Sequence, residues 1–482
     1  MKKTSLVAAL LAGAFLAGCS DSDSGIPFGG NTGNTPNNPI TAPTAGNIAF
    51  SVLGGSATTA TAANGILSVG NPNTATVVNV QSPTTRGGTI AANADGSFTY
   101  NAPALGNTTD TFSYTIQNAG GSATGTATVT LLGRGFFVNN QAAAGGTGTQ
   151  QAPFQNLAQV QAAAAGVNGA EIVVFQGDGT NNGYNTAFAL GANQTLRGFS
   201  QAATPLLTGP VSFSSGNRLE DVRISGTPGT ASAVNAVGAS NGIINRVAIS
   251  NCTSAGNLTD ATGTWTISNG NVQNMNQQGF VTLSSVGNLN WTVSNSSFNN
   301  ATFCAVCSAP TGAAIQNLTV SGCSAANGGG AEFIMQPNTT GTAIGLNINN
   351  CTVNGGGSTV RGIDVSIQGT TAFTALLTGN NITGCTAEGI QVGVQSNSTA
   401  RVKFDRNQTL GNLFNQGMNI FNGGNATLCS VFSNNTSDRF LLGQNGVGTF
   451  GVELFAGFTT RNTGTLSAGN ITDLAAGACG LP

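Results

Sequence analysis

The sequence predicts an all-β chain, a β-sandwich followed by a parallel β-solenoid, and three observations carry that prediction. First, a short phrase recurs nine times, as Ile224-Ser-Gly-Thr227, Ile249-Ser-Asn-Cys252, Ile267-Ser-Asn-Gly270, Val293-Ser-Asn-Ser296, Val320-Ser-Gly-Cys323, Ile348-Asn-Asn-Cys351, Ile382-Thr-Gly-Cys385, Phe404-Asp-Arg-Asn407 and Phe432-Ser-Asn-Asn435. The phrase ends lie 25, 18, 26, 27, 28, 34, 22 and 28 residues apart. β-Branched units repeating on that scale, without heptads, build a solenoid. Second, 70 of the 482 residues are glycine, and each Gly in a helix costs about 1 kcal/mol relative to Ala. Third, residues 45–132 carry a different pattern of alternating strands separated by turn residues.

The chain opens on Met1-Lys-Lys and the apolar run Leu6 to Leu16, a secretory leader whose apolar stretch is too short to span a bilayer. The leader ends in Leu16-Ala17-Gly18-Cys19, which resembles the bacterial lipobox. The resemblance implies removal of residues 1–18, lipidation at Cys19 and anchoring by several acyl chains, which hold a membrane more firmly than one. Ser20, rather than Asp, follows the cysteine. In such lipoproteins that implies sorting to the outer membrane, with the cell surface and the periplasmic face both open. Residues 19–44 are rich in Gly, Asn, Pro and Ser and read as a flexible tether. Of nine cysteines, lipidation takes one and leaves eight for an oxidising compartment.

Residues 45–133 form the predicted sandwich, with strands at Ile48–Val52, Ala75–Val80, Ser97–Tyr100, Asp110–Ile116 and Ala123–Leu131. Asp95-Gly-Ser-Phe-Thr-Tyr100, Thr109-Asp-Thr-Phe-Ser-Tyr-Thr-Ile116 and the run from Gly120 to Val129 resemble cadherin-like, Ig-like repeats of bacterial adhesins. Such repeats act as spacers. Where they often carry an acid, this chain has Asn118, which removes a calcium ligand.

Residues 134–482 form the solenoid. Phe136-Phe-Val138 reads as a short strand after a boundary at Gly133-Arg134-Gly135. Asn156 is placed to cap a short helix carrying Leu157, Val160 and Ala164 on one face, and Glu171–Phe175 is the next strand. Strand, Gly-rich loop, Pro-Phe, helix and strand in this order resemble the opening of pectin-lyase-like right-handed parallel β-helices, shared by polymorphic outer-membrane proteins. The helix would then cap the apolar end of the first coil. Eight of the nine phrases have Asn or Gly third, Arg406 being the exception, so each coil should turn a corner with a left-handed residue there.

Downstream, Gly362-Ile-Asp-Val, Gly389-Ile-Gln-Val, Gly417-Met-Asn-Ile and Gly451-Val-Glu-Leu predict an outer column of Asp364, Gln391, Asn419 and Glu453. Cys252, Cys323, Cys351 and Cys385 share the fourth phrase position, either as stacked disulfides or as buried thiols. Cys304 and Cys307 are disulfide candidates for clipping a turn, a redox motif being the alternative. Cys429 and Cys479 are candidates for tying down the last coil.

Histidine is absent, which removes Ser-His-Asp and Cys-His catalysis and His-containing metal sites. Charged residues are 6 % of the chain, with 14 basic and 16 acidic, so nothing attracts nucleic acid. The candidates for catalysis are Arg361, Asp364, Glu388, Arg401, Lys403 and Asp405, beside Arg406. Arg401-Val-Lys403 resembles the Arg-Ile-Lys of polygalacturonases, but the paired aspartates and the Gly-His-Gly of that family are missing here. Calcium would require Asp364, Glu388 and Asp405 to converge; otherwise the cluster is a set of surface ion pairs. No metal site and no other cofactor is expected. Phe404, Phe414, Phe421, Phe432, Trp265 and Trp291 are either sugar platforms or core.

These features lead to the expectation of an outer-membrane lipoprotein whose β-helix binds or adheres to glycans or other surface molecules, including proteins. A polysaccharide lyase or glycoside hydrolase is the alternative, and a self-associating structural protein a second.

Overall fold

The computed structural model describes residues 40–226, 232–413 and 416–481. The expected leader, Cys19 and most of the expected tether lie outside the described residues, as do Thr227 and Phe414. The fold is all-β, an Ig-like region followed by a right-handed β-solenoid of about 11 turns with a short helix at its start.

In the Ig-like region, Thr76–Val80, Thr108–Asn118, Gly121–Val138 and Ile48–Gly54 form one sheet. Ala57–Ala60, Phe98–Asn101 and Thr89–Ala92 form the other. Alternate residues Phe112, Tyr114, Ile116, Ala127, Val129 and Leu131 point between the sheets and are at most 1 % exposed, the period-2 burial that the sequence alternation encodes. Asp110 is buried as well, but it accepts hydrogen bonds from Tyr100 Oη (2.7 Å), the hydroxyls of Thr84 and Thr85 and the Arg86 amide. Every lone pair exposed by burial thus has a donor.

No break marks the end of this region. Gly121–Val138 is a single strand of 18 residues, so Phe136–Val138 is its tail rather than a separate strand. Its first part pairs with Ile48–Gly54, and Gly135–Val138 pairs with Glu171–Val174 of the first coil. A Cβ on Gly135 would sit 2.6 Å from the Leu53 side chain, so glycine permits the close crossing here. Further on, the Gln150 amide donates to Gly55 O (2.8 Å) and Gln150 Oε1 accepts from the Ala57 amide (2.8 Å).

The helix Leu157–Ala164 covers the apolar end of the solenoid. Asn156 Oδ1 accepts from the Gln159 amide (3.0 Å) while Gln159 Oε1 accepts from the Asn156 amide (3.2 Å), a reciprocal cap. Leu157, Val160 and Ala164 face the core.

Each coil then carries three strand segments. Long strands such as Ile315–Ser321 stack into a first sheet. Short ones such as Ser324–Ala326 form a second, and strands such as Ala331–Met335 a third. Between the first and second, a left-handed residue turns the chain in every coil from Asp221 to Asn434. The full ladder is Asp221, Arg246, Asn269, Asn295, Gly322, Asn350, Gly379, Arg406 and Asn434, with φ of 48° to 67°. A second left-handed ladder lies at the end of the short strand or just after it, at Asn251, Asn274, Asn300, Asn327, Gly356, Gly384 and Gly411.

This resolves the uneven phrase spacing. The copies at Ile224, Ile249 and Ile382 lie on the second-sheet strands Arg223–Ser225, Ala248–Ser250 and Asn381–Thr383, whereas the other six end first-sheet strands. The phrase therefore marks two corners, because both need an apolar inward residue followed by one tolerant of positive φ. Counted along the first corner alone, the intervals even out to 25, 23, 26, 27, 28, 29, 27 and 28.

The residues just after the first corner point inward. In the last coils they are Asn380, Asn407, Asn435 and Asn462, each 1 % to 5 % exposed. Asn380 Nδ2 donates to Asn407 Oδ1 (2.9 Å), Asn407 Nδ2 to Asn435 Oδ1 (3.0 Å) and Asn435 Nδ2 to Asn462 Oδ1 (2.9 Å). In the two preceding coils the same column holds Cys323 and Cys351, whose thiols donate to Val293 O and Val320 O. Cys252 and Cys385 sit instead at the second corner, so the four cysteines do not share one column. All four are buried free thiols.

Candidate functional site

The outward side chains of the third sheet form a lengthwise face, recessed over part of its length, which we call the groove. Strand register aligns Ser212, Asn235, Asn257, Val281, Cys307, Ile334, Asp364, Gln391 and Asn419 in one column. A second column, three residues back along each strand, runs Gln278, Cys304, Ala331, Arg361 and Glu388. The inward neighbours Val306, Phe333, Ile363, Val365, Ile390 and Val392 are core. Although they face away from that core, Val281, Cys307, Ile334 and Asp364 are only 5 % to 8 % exposed.

The groove has three stretches. At the N-terminal end, Ser212, Asn235, Asn257, Gln277, Gln278 and Leu283 line a depression of about 560 Å³. In the middle, Val281, Ala331, Ile334 and the Cys304–Cys307 disulfide make an apolar floor of their own. Leu283 and Phe303, two residues after Val281 and one before Cys304, are 58 % and 51 % exposed. At the far end Arg361 bridges two carboxylates. Its Nε donates to Glu388 Oε2 at 2.7 Å, and its Nη1 lies 3.6 Å from Asp364 Oδ2. Asn419 Nδ2 donates to Glu388 Oε1 (3.2 Å) and Gln391 Nε2 to Asp364 Oδ1 (3.3 Å). Burial pushes the Asp364 carboxyl above the usual range, against the pull of Arg361.

The other charged candidates lie on a different face. Arg401, Lys403 and Asp405 belong to the first-sheet strand Thr399–Asp405. Asp405 accepts from Ser433 Oγ (2.8 Å) and pairs with Arg406 Nη1 (2.9 Å). The six candidates thus split between two sheets, and Asp405 does not join Asp364 and Glu388 as a calcium set. No group of three or more His, Cys, Asp or Glu able to hold a metal occurs among the described residues. Arg406 is not a lone departure at its corner either, since Asp221 and Arg246 occupy the same ladder and pair at 2.6 Å.

Glu453 also falls outside the outer column, where Leu441 stands next to Asn419. It ends a first-sheet strand, Thr449–Glu453, and accepts from the amides of Gly477 (2.9 Å) and Cys479 (2.6 Å). That holds the tail which the Cys429–Cys479 disulfide ties down. A second depression, of about 510 Å³, lies near this cap. Its polar groups are already engaged: Arg461 donates to Phe432 O and Glu453 O, and Asp473 accepts from the Phe455 amide.

The aromatic candidates are core or close to it. Trp265 and Trp291 stack in register and are 0 % and 1 % exposed. Phe404 and Phe432 stack at 4.6 Å, both fully buried. Phe421, half-buried on the third-sheet strand Met418–Gly424, packs over Gly393.

Sequence reasoning passed over Glu332. It is 1 % exposed and stands where neighbouring coils have Ala305, Gly362 and Gly389. Its Oε1 accepts from the Gly328 amide and Thr359 Oγ1, both at 3.0 Å, and burial raises its carboxyl above the ordinary range. The available signal was an acid breaking a column of small residues, readable only once the coils are aligned.

Residues 38–131 match the family model described as Bacterial Ig domain. No curated protein matches the chain. Among solved structures, the catalytic unit of the thermostable GH87 alpha-1,3-glucanase from Streptomyces thermodiastaticus strain HF3-3 aligns over 80 % of this chain and 75 % of its own, at 12 % identity and a TM-score of 0.34. A likeness of that size says nothing about chemistry. No helix among the described residues is long and apolar enough to cross a membrane.

Proposed function

We propose that this chain is a lipid-anchored outer-membrane protein, held at Cys19, whose third-sheet groove binds an extended polysaccharide laid along the solenoid axis. The observation that carries the binding reading is the groove itself. Amides and hydroxyls, an apolar floor and a bridged pair of carboxylates follow one another over nine aligned strands. At ~4.8 Å per strand the lining spans roughly 40 Å, and the repeat is close to the length of one pyranose unit. Side-chain amides bond sugar hydroxyls, while the apolar floor takes the C–H faces of the rings. The Ig-like region, joined to the first coil by one unbroken strand, would hold the groove at a set distance from the anchor.

A pull-down of the purified chain on insoluble and soluble polysaccharides tests this. Ile334→Asp, which puts a charge on the apolar floor, should weaken binding at least about 30-fold. Equal binding by this variant would exclude the groove. Palmitate labelling in cells, lost in Cys19→Ala, tests the anchor.

Glycoside hydrolysis is the second reading, favoured by two carboxyls on adjacent strands linked through Arg361, one of them, Asp364, raised by burial. A raised carboxyl near a second one suits an acid and its partner. Release of reducing ends that vanishes in Asp364→Asn would establish it.

A further inference from the structure

We infer that the groove selects a neutral polysaccharide and rejects polyuronates, a deduction that rests on the groove-binding reading above. Along the two aligned columns from Ser212 to Asn419, Arg361 is the one cation among the described residues, and it is already shared between Glu388 and Asp364. Those two acids leave the charged stretch with more negative than positive groups. A sugar carboxylate lying there would meet two carboxylates, with no uncommitted cation to pair with. Like charges brought together in a recess cost several kcal/mol. Calcium bridging, which could relieve that repulsion, lacks a third acid. The remaining lining is amide, hydroxyl or apolar, suited to ring hydroxyls and C–H faces. A polycation gains little too, because Arg361 occupies the space between the carboxylates.

The test measures binding of the full chain to three probes at low and physiological salt. These are a panel of neutral glucans and mannans, polygalacturonate, and a chitosan oligosaccharide. The expected result is binding to at least one neutral polymer, with polygalacturonate at least about tenfold weaker and unable to displace it. Glu388→Gln releases Arg361 from its shorter ion pair and should raise the affinity for polygalacturonate relative to the neutral ligand several-fold, most at low salt. Circular dichroism confirms that this variant is folded. Polygalacturonate that competes off the neutral ligand, or chitosan that binds more tightly than any neutral polymer, would overturn the inference while leaving the groove reading intact. No binding to any probe would remove both.

Discussion

Arg361 and Arg406 each pair with an aspartate close by in sequence, but their settings differ. Arg361 lies in the groove of the third sheet and reaches across to the next strand, where Glu388 accepts its Nε. The side chains of its two partners are only 9 % and 12 % exposed. Arg406 sits at a first-sheet corner, its side chain 65 % exposed, and pairs with the adjacent Asp405. The difference shows that charge density along the sequence does not locate a site on a solenoid. The two clusters are about one and a half coils apart in the chain and their carboxylates are alike buried, yet only Arg361 is itself largely shielded, its side chain 28 % exposed, so that desolvation gives its pairs more weight.

Four variants test this contrast. The largest effect is expected for Arg361→Ala, which leaves two mostly buried carboxylates on adjacent strands without their cation. A loss of about 2 kcal/mol is expected, less than for a fully buried pair because Arg361 is itself partly exposed, read from denaturant midpoints. Next, Asp364→Asn combined with Glu388→Gln in the Arg361→Ala background should recover more than half of that loss. No recovery would mean that Arg361 acts through packing rather than charge.

Third, Glu332→Gln should be more stable than the parent at pH 8, by about 1 kcal/mol. Since burial raises the Glu332 carboxyl, the folded state binds its proton more tightly than the unfolded chain. Stability from this group is therefore present at low pH and lost as pH rises through the folded value. The amide oxygen of glutamine can still accept from Gly328 and Thr359, so the gain should disappear below about pH 4. A pH-independent difference would rule this account out. The smallest effect is expected for Arg406→Ala, within about 0.5 kcal/mol by thermal melting, as for other exposed ion pairs.

Much of the architecture was legible because it depends on neighbours in sequence. The helix cap at Asn156, the inward Ile363 and Val365, and the left-handed corners each follow from a few adjacent residues. The nine-fold phrase nevertheless merged two corners, since Ile249-Ser-Asn and Ile267-Ser-Asn meet the same local demand on successive faces. That merger hid the members Leu219-Glu-Asp, Ile244-Asn-Arg and Leu377-Thr-Gly, whose third residues complete the first ladder. Glu453 was drawn into the wrong column for a related reason, its Gly-Val-Glu-Leu matching a pattern that the last coil uses on another sheet. The site was half legible: Arg361, Asp364 and Glu388 stand together, whereas Arg401, Lys403 and Asp405 do not join them. The apolar floor could not be seen, because Val281, Cys307 and Ile334 are 26 and 27 residues apart and look like ordinary strand residues.

By itself, then, the sequence determined the all-β class, the Ig-like region followed by a solenoid, the capping helix and the tolerance of each corner for positive φ. These are set by dihedral preference and by period-2 burial, which act over a few residues. The tertiary structure decided which residues stack. Turn lengths vary from coil to coil, and only hydrogen bonding between strands about 27 residues apart sets the register that makes a groove from separate outward side chains.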